Sequence, residues 1–140
     1  MKILTVDDSR MIRLIITNTI RSLGYEALEA PNADRALEVL KESHAEISLI
    51  LLDWNMPGMN GFELLKILKS DPQYSNIPVM MVTTEGERKN VVLAIQTGAD
   101  NYLTKPFSPE DLSTKILECL GINLEMEEEI DDLDLDDLDF

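Results

Sequence analysis

Leu49-Ile50-Leu51-Leu52-Asp53 is the stretch that decides the fold: four apolar residues, an acid, and then the turn-forming Met56-Pro57-Gly58-Met59-Asn60-Gly61. An apolar run of this length, bounded by turn residues, reads as a strand buried on both faces. The pattern recurs at the amino end, where Ile3-Leu4-Thr5-Val6 runs into Asp7-Asp8. In an open parallel sheet the ligand crevice lies outside the carboxyl ends of the strands, so two neighbouring strands bring three carboxylates together. Carboxylates that close repel one another and resist ionising unless a cation neutralises them. Oxygen donors with no Cys or His beside them suit a hard divalent ion, Mg²⁺ above all. Thr83, ending Val79-Met80-Met81-Val82, and Lys105-Pro106, following Asn101-Tyr102-Leu103-Thr104, add a hydroxyl and an ammonium to the same edge. Those are the groups that a phosphoryl group on Asp53 requires.

The rest of the body alternates between strand and helix patterns. Ser9 offers an N-cap, and Met11, Ile12, Ile15, Ile16, Ile20 and Leu23 then recur at helical spacing up to Gly24. Tyr25 to Ala30 reads as a second strand, and Asn32 caps a helix with the stripe Ala36, Leu37, Val39 and Leu40. Met56 to Gly61 is a loop, Phe62, Leu64, Leu65 and Leu68 form a third helix, and Asp71-Pro72 breaks it. Ile77 to Thr83 gives the fourth strand, and a helix from about Glu87 to Thr97 stops at Gly98. Ser108-Pro109-Glu110-Asp111 opens the last helix with cap, proline and first-turn acids in their favoured places, and Gly121 closes it. Five βα units with fully apolar strands predict an α/β fold, a doubly wound five-stranded parallel sheet covered by five helices.

Composition supports a single domain. At 140 residues, with 44% hydrophobic residues and a mean hydropathy of −0.08, the chain has the makings of a soluble globular protein. No apolar run reaches the length of a membrane span and no signal-peptide pattern opens the chain, so a cytoplasmic location is expected. Cys119 has no cysteine partner and reads as a small core residue of a protein kept reduced. His44 falls at a helix end and reads as solvated. The formal net charge of −15 is unevenly spread: residues 122–140 hold ten of the 27 acids and no base, leaving 17 acids against 12 bases in residues 1–121. A body of net −5 and an acidic tail both argue against nucleic acid as a partner.

Asp7-Asp8, Asp53-Trp54-Asn55-Met56-Pro57-Gly58-Met59-Asn60-Gly61, Thr83, and Tyr102 to Phe107 stand in register along the chain. Each alone has an ordinary reading: a strand threonine, a surface lysine, an N-cap aspartate. Together they resemble the response-regulator receiver domain, specifically the CheY-type chemotaxis regulators, over residues 1–121. The resemblance implies the flavodoxin-like strand order 2-1-3-4-5, a sheet type from which the crevice rule itself was drawn. It implies that Asp53 is the phosphoacceptor and that Asp8, Asp53 and the carbonyl of Asn55 contact Mg²⁺, with Asp7 acting through water. Thr83 would bond the phosphoryl oxygens, and Lys105, before a cis Lys105-Pro106 peptide, would pair with the acyl phosphate. Such a chain catalyses only its own phosphorylation and dephosphorylation.

The resemblance also assigns a switch. Thr83 moves toward the phosphoryl group and the ring of Tyr102 fills the vacated space, altering an output face with Arg88, Val91, Ile95, Tyr102, Thr104 and Lys115. Val91 and Ile95 also fit plain helix packing. Asn55 and Glu85 match the chemotaxis proteins at positions that set acyl-phosphate lifetime, favouring a short signal, whereas Thr84 replaces a smaller residue. Trp54, beside the phosphoacceptor, is expected to report metal and phosphate binding by fluorescence.

Residues 122–140 form the acidic tail. Ile130, Leu133, Leu135, Leu138 and the terminal Phe140 are interleaved with Asp, a pattern that reads either as a solubilising tail or as a docking segment for its own or a neighbouring receiver. The tail resembles the receiver-binding end of the chemotaxis phosphatase, with Leu133, Leu138 and Phe140 as the docking residues. The expected partners are a histidine kinase, a target such as the flagellar motor switch, and a phosphatase, with no membrane involvement. The other class of function is a phosphorelay intermediate that passes its phosphoryl group to a histidine phosphotransfer protein. Hydrolase chemistry through an aspartyl phosphate would not call for Asp7-Asp8 on another strand, and no DNA-binding output is expected without a domain after Gly121.

Overall fold

The computed structural model describes residues 1–122, so the tail residues Leu133, Leu138 and Phe140 lie outside the described residues. The elements are β1 (Lys2–Val6), α1 (Arg10–Ser22), β2 (Glu26–Ala30), α2 (Ala33–Ser43), a 3-10 turn (His44–Glu46), β3 (Ile47–Leu52), α3 (Gly61–Ser70), β4 (Val79–Thr83), α4 (Arg88–Thr97), β5 (Asn101–Thr104) and α5 (Pro109–Cys119). All strand pairs are parallel, in the order β2-β1-β3-β4-β5 implied by the resemblance. The chain steps from β1 out to β2 and returns on the far side of β1 as β3. The crevice of such a sheet opens at this reversal, between β1 and β3.

Register puts the acids there. Val6 lies opposite Leu52, so the next residues, Asp7 and Asp53, emerge side by side. The Asp53 amide donates to the Val6 carbonyl at 2.9 Å, and the Asp7 amide to that of Ala30 at 3.1 Å. Period-two alternation divides the strand side chains between two cores. Leu4, Val6, Ile50, Leu52, Val79 and Met81 pack with Leu64, Leu65 and Leu68 of α3 and Ala94 of α4. Ile3, Leu49, Leu51, Met80 and Val82 pack with Ile16 and Ile20 of α1 and Leu112 and Ile116 of α5. Apolar burial on both faces leaves polar chemistry only at the strand ends.

Three expected caps form: Ser9 Oγ accepts from Ile12 N, Asn32 Oδ1 from Arg35 N, and Ser108 Oγ from Asp111 N. Elsewhere the structure departs from the sequence reading. The loop ends one residue earlier than expected, because Asn60 and Glu63 form a reciprocal capping box and α3 begins at Gly61. β2 begins after Tyr25 and β4 after Pro78, which has no N–H to give the ladder. Met11 and Ile15, assigned to the apolar stripe of α1, are 72% and 41% exposed. They point away from Ile16 and Ile20, and the sheet covers only one side of a helix. His44 is not simply solvated: its ring meets Tyr74 edge-on at 5.6 Å and Nδ1 lies 3.1 Å from the Leu40 carbonyl. No helix among the described residues is long and apolar enough to cross a membrane.

Gly61 fixes the approach of α3 to the end of β3. Its amide donates to the Trp54 carbonyl at 2.8 Å, and a Cβ there would lie 1.9 Å from the Asp53 carbonyl oxygen. Backbone cannot yield as a flexible side chain does. Gly61→Ala is therefore expected to cost at least the overpacking penalty of about 1–3 kcal/mol. Urea unfolding checks this; a midpoint equal to wild type would mean that the contact relaxes at no cost.

Candidate functional site

Asp7, Asp53 and Thr83 are almost fully buried at 1%, 6% and 0% exposure, whereas Asp8 faces solvent. Asp7, Asp8 and Asp53 each place a carboxylate oxygen within 4.8 Å of the others. Lys105 reaches in from the end of β5, its Nζ 2.7 Å from Asp7 Oδ2 and 3.4 Å from Asp53 Oδ2. The Lys105 amide is held by the Thr83 carbonyl at 2.9 Å, and the Lys105-Pro106 peptide is cis. The remaining Asp7 oxygen accepts from the Ser9 amide at 2.9 Å, and Asp53 Oδ1 from the Asn55 amide at 3.3 Å.

The electrostatics follow from burial. Burial pushes the Asp53 carboxyl above the usual carboxylate range; the Thr83 hydroxyl and the Lys105 ammonium pull it back, and the Asp7 charge raises it. Three ionised carboxylates against one ammonium leave two negative charges. An all-oxygen donor set, open to solvent through Asp8 and short by two positive charges, fits a hard divalent ion.

A second set of contacts runs away from this pocket. Thr83 Oγ1 accepts from the Glu85 amide at 3.2 Å, and the Tyr102 hydroxyl donates to the Glu85 carbonyl. The Glu85 carboxylate in turn accepts from Asn90 Nδ2 at 2.9 Å. Glu85 thus bridges the end of β4, the ring on β5 and the first turn of α4. Burial, then the Glu85 and Asp53 charges, push the Tyr102 phenol up to about 12. The ring is half-buried and packs against the core. Arg88, Ile95 and Thr104 are exposed, Val91 and Lys115 half-buried, and Thr84 exposed. Trp54 stacks on Phe62 at 5.0 Å and 12°.

Two contributors escaped the sequence reading. Arg13 Nη1 donates to the Asp7 carbonyl at 2.7 Å while its Nε pairs with Glu29 at 2.9 Å, bracing β1 against β2. The one available signal is its place in the first turn of α1, just after Asp7-Asp8. The bridging role of Glu85 depends on Tyr102, seventeen residues away, and has no local signature.

Residues 3–117 match the response regulator receiver domain family, and the chain belongs to it. It is 45% identical over 124 residues to chemotaxis protein CheY1 of Helicobacter pylori, covering 88% of this chain and 99% of that protein. It is 42% identical over 122 residues to the CheY homolog of Campylobacter jejuni, covering 86% and 93%. Among solved structures, chemotaxis protein CheY4 of Vibrio cholerae superposes with a TM-score of 0.78 at 36% identity, over 85% of this chain and 98% of that one. The receiver is thus of the CheY type.

The raised carboxyl of Asp53 has a sign. In the folded protein its ionisation is disfavoured, so this group's contribution to stability is complete below its unfolded value, about 3.9, and is lost as pH rises through the folded value. Asn does not titrate. In EDTA at neutral pH, Asp53→Asn is therefore expected to melt above wild type, with the gap closing on acidification. Melting curves by circular dichroism check it; a variant less stable at pH 7 would mean that the Lys105 contact outweighs desolvation.

Proposed function

We propose that the chain is a phosphorylation-activated two-component response regulator, in which Asp53 takes a phosphoryl group from a histidine kinase. One observation carries the reading: Asp53 lies between a buried threonine, a half-buried lysine and two further carboxylates. In the transfer, an Asp53 oxygen attacks the phosphorus of a phosphohistidine and the O–P bond forms as the N–P bond breaks. The imidazole leaves neutral, with its other nitrogen carrying the proton. Such a transition state asks for positioning and charge neutralisation. Lys105 turns from the carboxylates to the incoming oxygens, and the Thr83 hydroxyl donates to one of them. Asp8, Asp53 and the Asn55 carbonyl would hold Mg²⁺ directly and Asp7 through water. The bound ion supplies charge neutralisation for the phosphoryl oxygens.

Output follows from the Glu85 bridge. When the Thr83 hydroxyl is drawn to the phosphoryl group, it loosens its hold on the Glu85 amide, and the Glu85 carbonyl carries that change to Tyr102. The face holding Arg88, Val91, Ile95, Tyr102, Thr104 and Lys115 then changes its preferred packing, a two-state device biased by one charged group. Asn55, Thr84 and Glu85, at the rim, set how readily water or a phosphatase reaches the acyl phosphate. The relatives named as chemotaxis proteins support a role in chemotaxis. A flagellar motor-switch protein as target and a cytoplasmic setting complete the proposal.

Labelling by acetyl phosphate, with the site located by mass spectrometry, tests the core of this. Asp53→Asn is expected to abolish it, and undiminished labelling sinks the assignment. Capture of partners by the beryllofluoride-loaded protein tests the output: a motor-switch protein supports the proposal, and a histidine phosphotransfer domain points to a relay instead. Mg²⁺ at a hundred times its Kd is expected to stabilise the fold by about 2.7 kcal/mol, most of it lost in Asp8→Ala. An unmoved melting curve at millimolar Mg²⁺ counts against the metal site.

A further inference from the structure

Arg88, Val91, Val92 and Ile95 recur at i, i+3, i+4 and i+7 along α4 and share one side of the helix. Val92 and Ile95 are 43% and 45% exposed. Beside this strip runs β5, the sheet edge, and across β5 lies Lys115 of α5, 3.8 Å from Glu118, which itself accepts from Asn101 of β5 at 3.0 Å. Lys89 has only an exposed contact to Glu87 at 3.6 Å, and Arg88 has no carboxylate in ion-pair range among the described residues. The patch is apolar and flanked by cations on a body of net −5 charge.

Residues 123–140 have the complementary composition. They hold ten acids, no base, and the large apolar residues Leu124, Met126, Ile130, Leu133, Leu135, Leu138 and Phe140, the last five within 130–140. The chain leaves the described body at the foot of the same face: α5 ends at Cys119, next to Glu118 on the first residue of β5, and α4 ends just before β5. The seven residues 123–129 span up to roughly 23–25 Å. The ten residues of α4 rise only about 15 Å, so the whole strip is within reach in the same molecule.

We propose that residues 130–140 dock on this face of their own molecule, Leu133, Leu138 and Phe140 covering Val91, Val92 and Ile95 while the aspartates lie beside Arg88, Lys89 and Lys115. Exposed ion pairs contribute little, so apolar burial supplies most of the attraction and charge sets the place. Tethering raises the local concentration to about millimolar, so weak intrinsic affinity suffices. The tail then covers the surface assigned to the target. That consequence rests on the proposed function; the docking does not.

The test uses the full, unphosphorylated chain in EDTA, so its outcome is independent of the phosphoacceptor. A nitroxide is attached at Asp137→Cys in a Cys119→Ser background, and ¹⁵N amide intensities are compared before and after reduction of the label. Amides of 88–95 are expected to lose most of their intensity and to recover when Leu133→Ser, Leu138→Ser and Phe140→Ser are added. Loss centred on the exposed Met11, Leu14 and Ile15 of α1, or none above a uniform background, overturns the proposal. The same broadening seen in unlabelled ¹⁵N chains mixed with spin-labelled ¹⁴N chains assigns the tail to a second copy and overturns docking within one molecule. If the cysteine changes unfold the protein, amide shifts of wild type and of the triple serine variant decide it: differences at 88–95 support docking, and identical spectra overturn it.

Discussion

One ammonium holds the working end of this molecule together. Lys105 touches carboxylates that precede it by 98 and 52 residues, tying the end of β5 to the ends of β1 and β3. Without it the sheet would bury like charges side by side, and uncompensated buried charge is among the costliest things a fold can hold. The lysine does not cancel the excess. The pocket therefore remains short of positive charge, and that shortage makes it receptive to a hard cation.

The fold makes so costly a pocket tolerable by confining it. Strands β1, β3 and β4 are buried along nearly their whole length, and Asp7, Asp53 and Thr83 stand where each strand stops. Lys69 performs the corresponding service at the opposite end. Its amine donates to the carbonyls of Ser75 and Ile77 and lies 3.5 Å from Asp100, whose carboxylate accepts from the first amide of β4. Sheet and helices are thus pinned at both ends, and the only buried side-chain polar atom lacking a partner among the described residues is Thr5 Oγ1.

Much of this was legible in the sequence, for definable reasons. Strands buried on both faces announce themselves as unbroken apolar runs, and a residue that follows such a run must sit at the sheet's edge; Asp7, Asp53, Thr83 and Lys105 were found that way. Side-chain caps are short-range devices, which is why Ser9, Asn32 and Ser108 were readable. The misses involve distance or degree. Periodicity cannot say how wide a stripe the sheet will cover, so Met11 and Ile15 counted as buried. Asn60 and Gly61 were absorbed into a turn-rich stretch, because a close backbone approach to Asp53 leaves no trace in the residues around it. The Glu85–Tyr102 bond joins β4 and β5 through a backbone carbonyl, which composition does not register at all.

Cys119 sits half-buried on α5 against the second core, with Asp100 and Glu118 nearby. Burial first, and then those charges, push its thiol up to about 11, despite a hydrogen bond with the Asn101 side chain. The thiolate is the form that attacks disulfides, peroxides and alkylating agents. At neutral pH this sulfur is almost wholly protonated, so the one cysteine of the chain is chemically quiet. The sole thiol of the body is thereby held in the form least able to attack oxidants and alkylating agents.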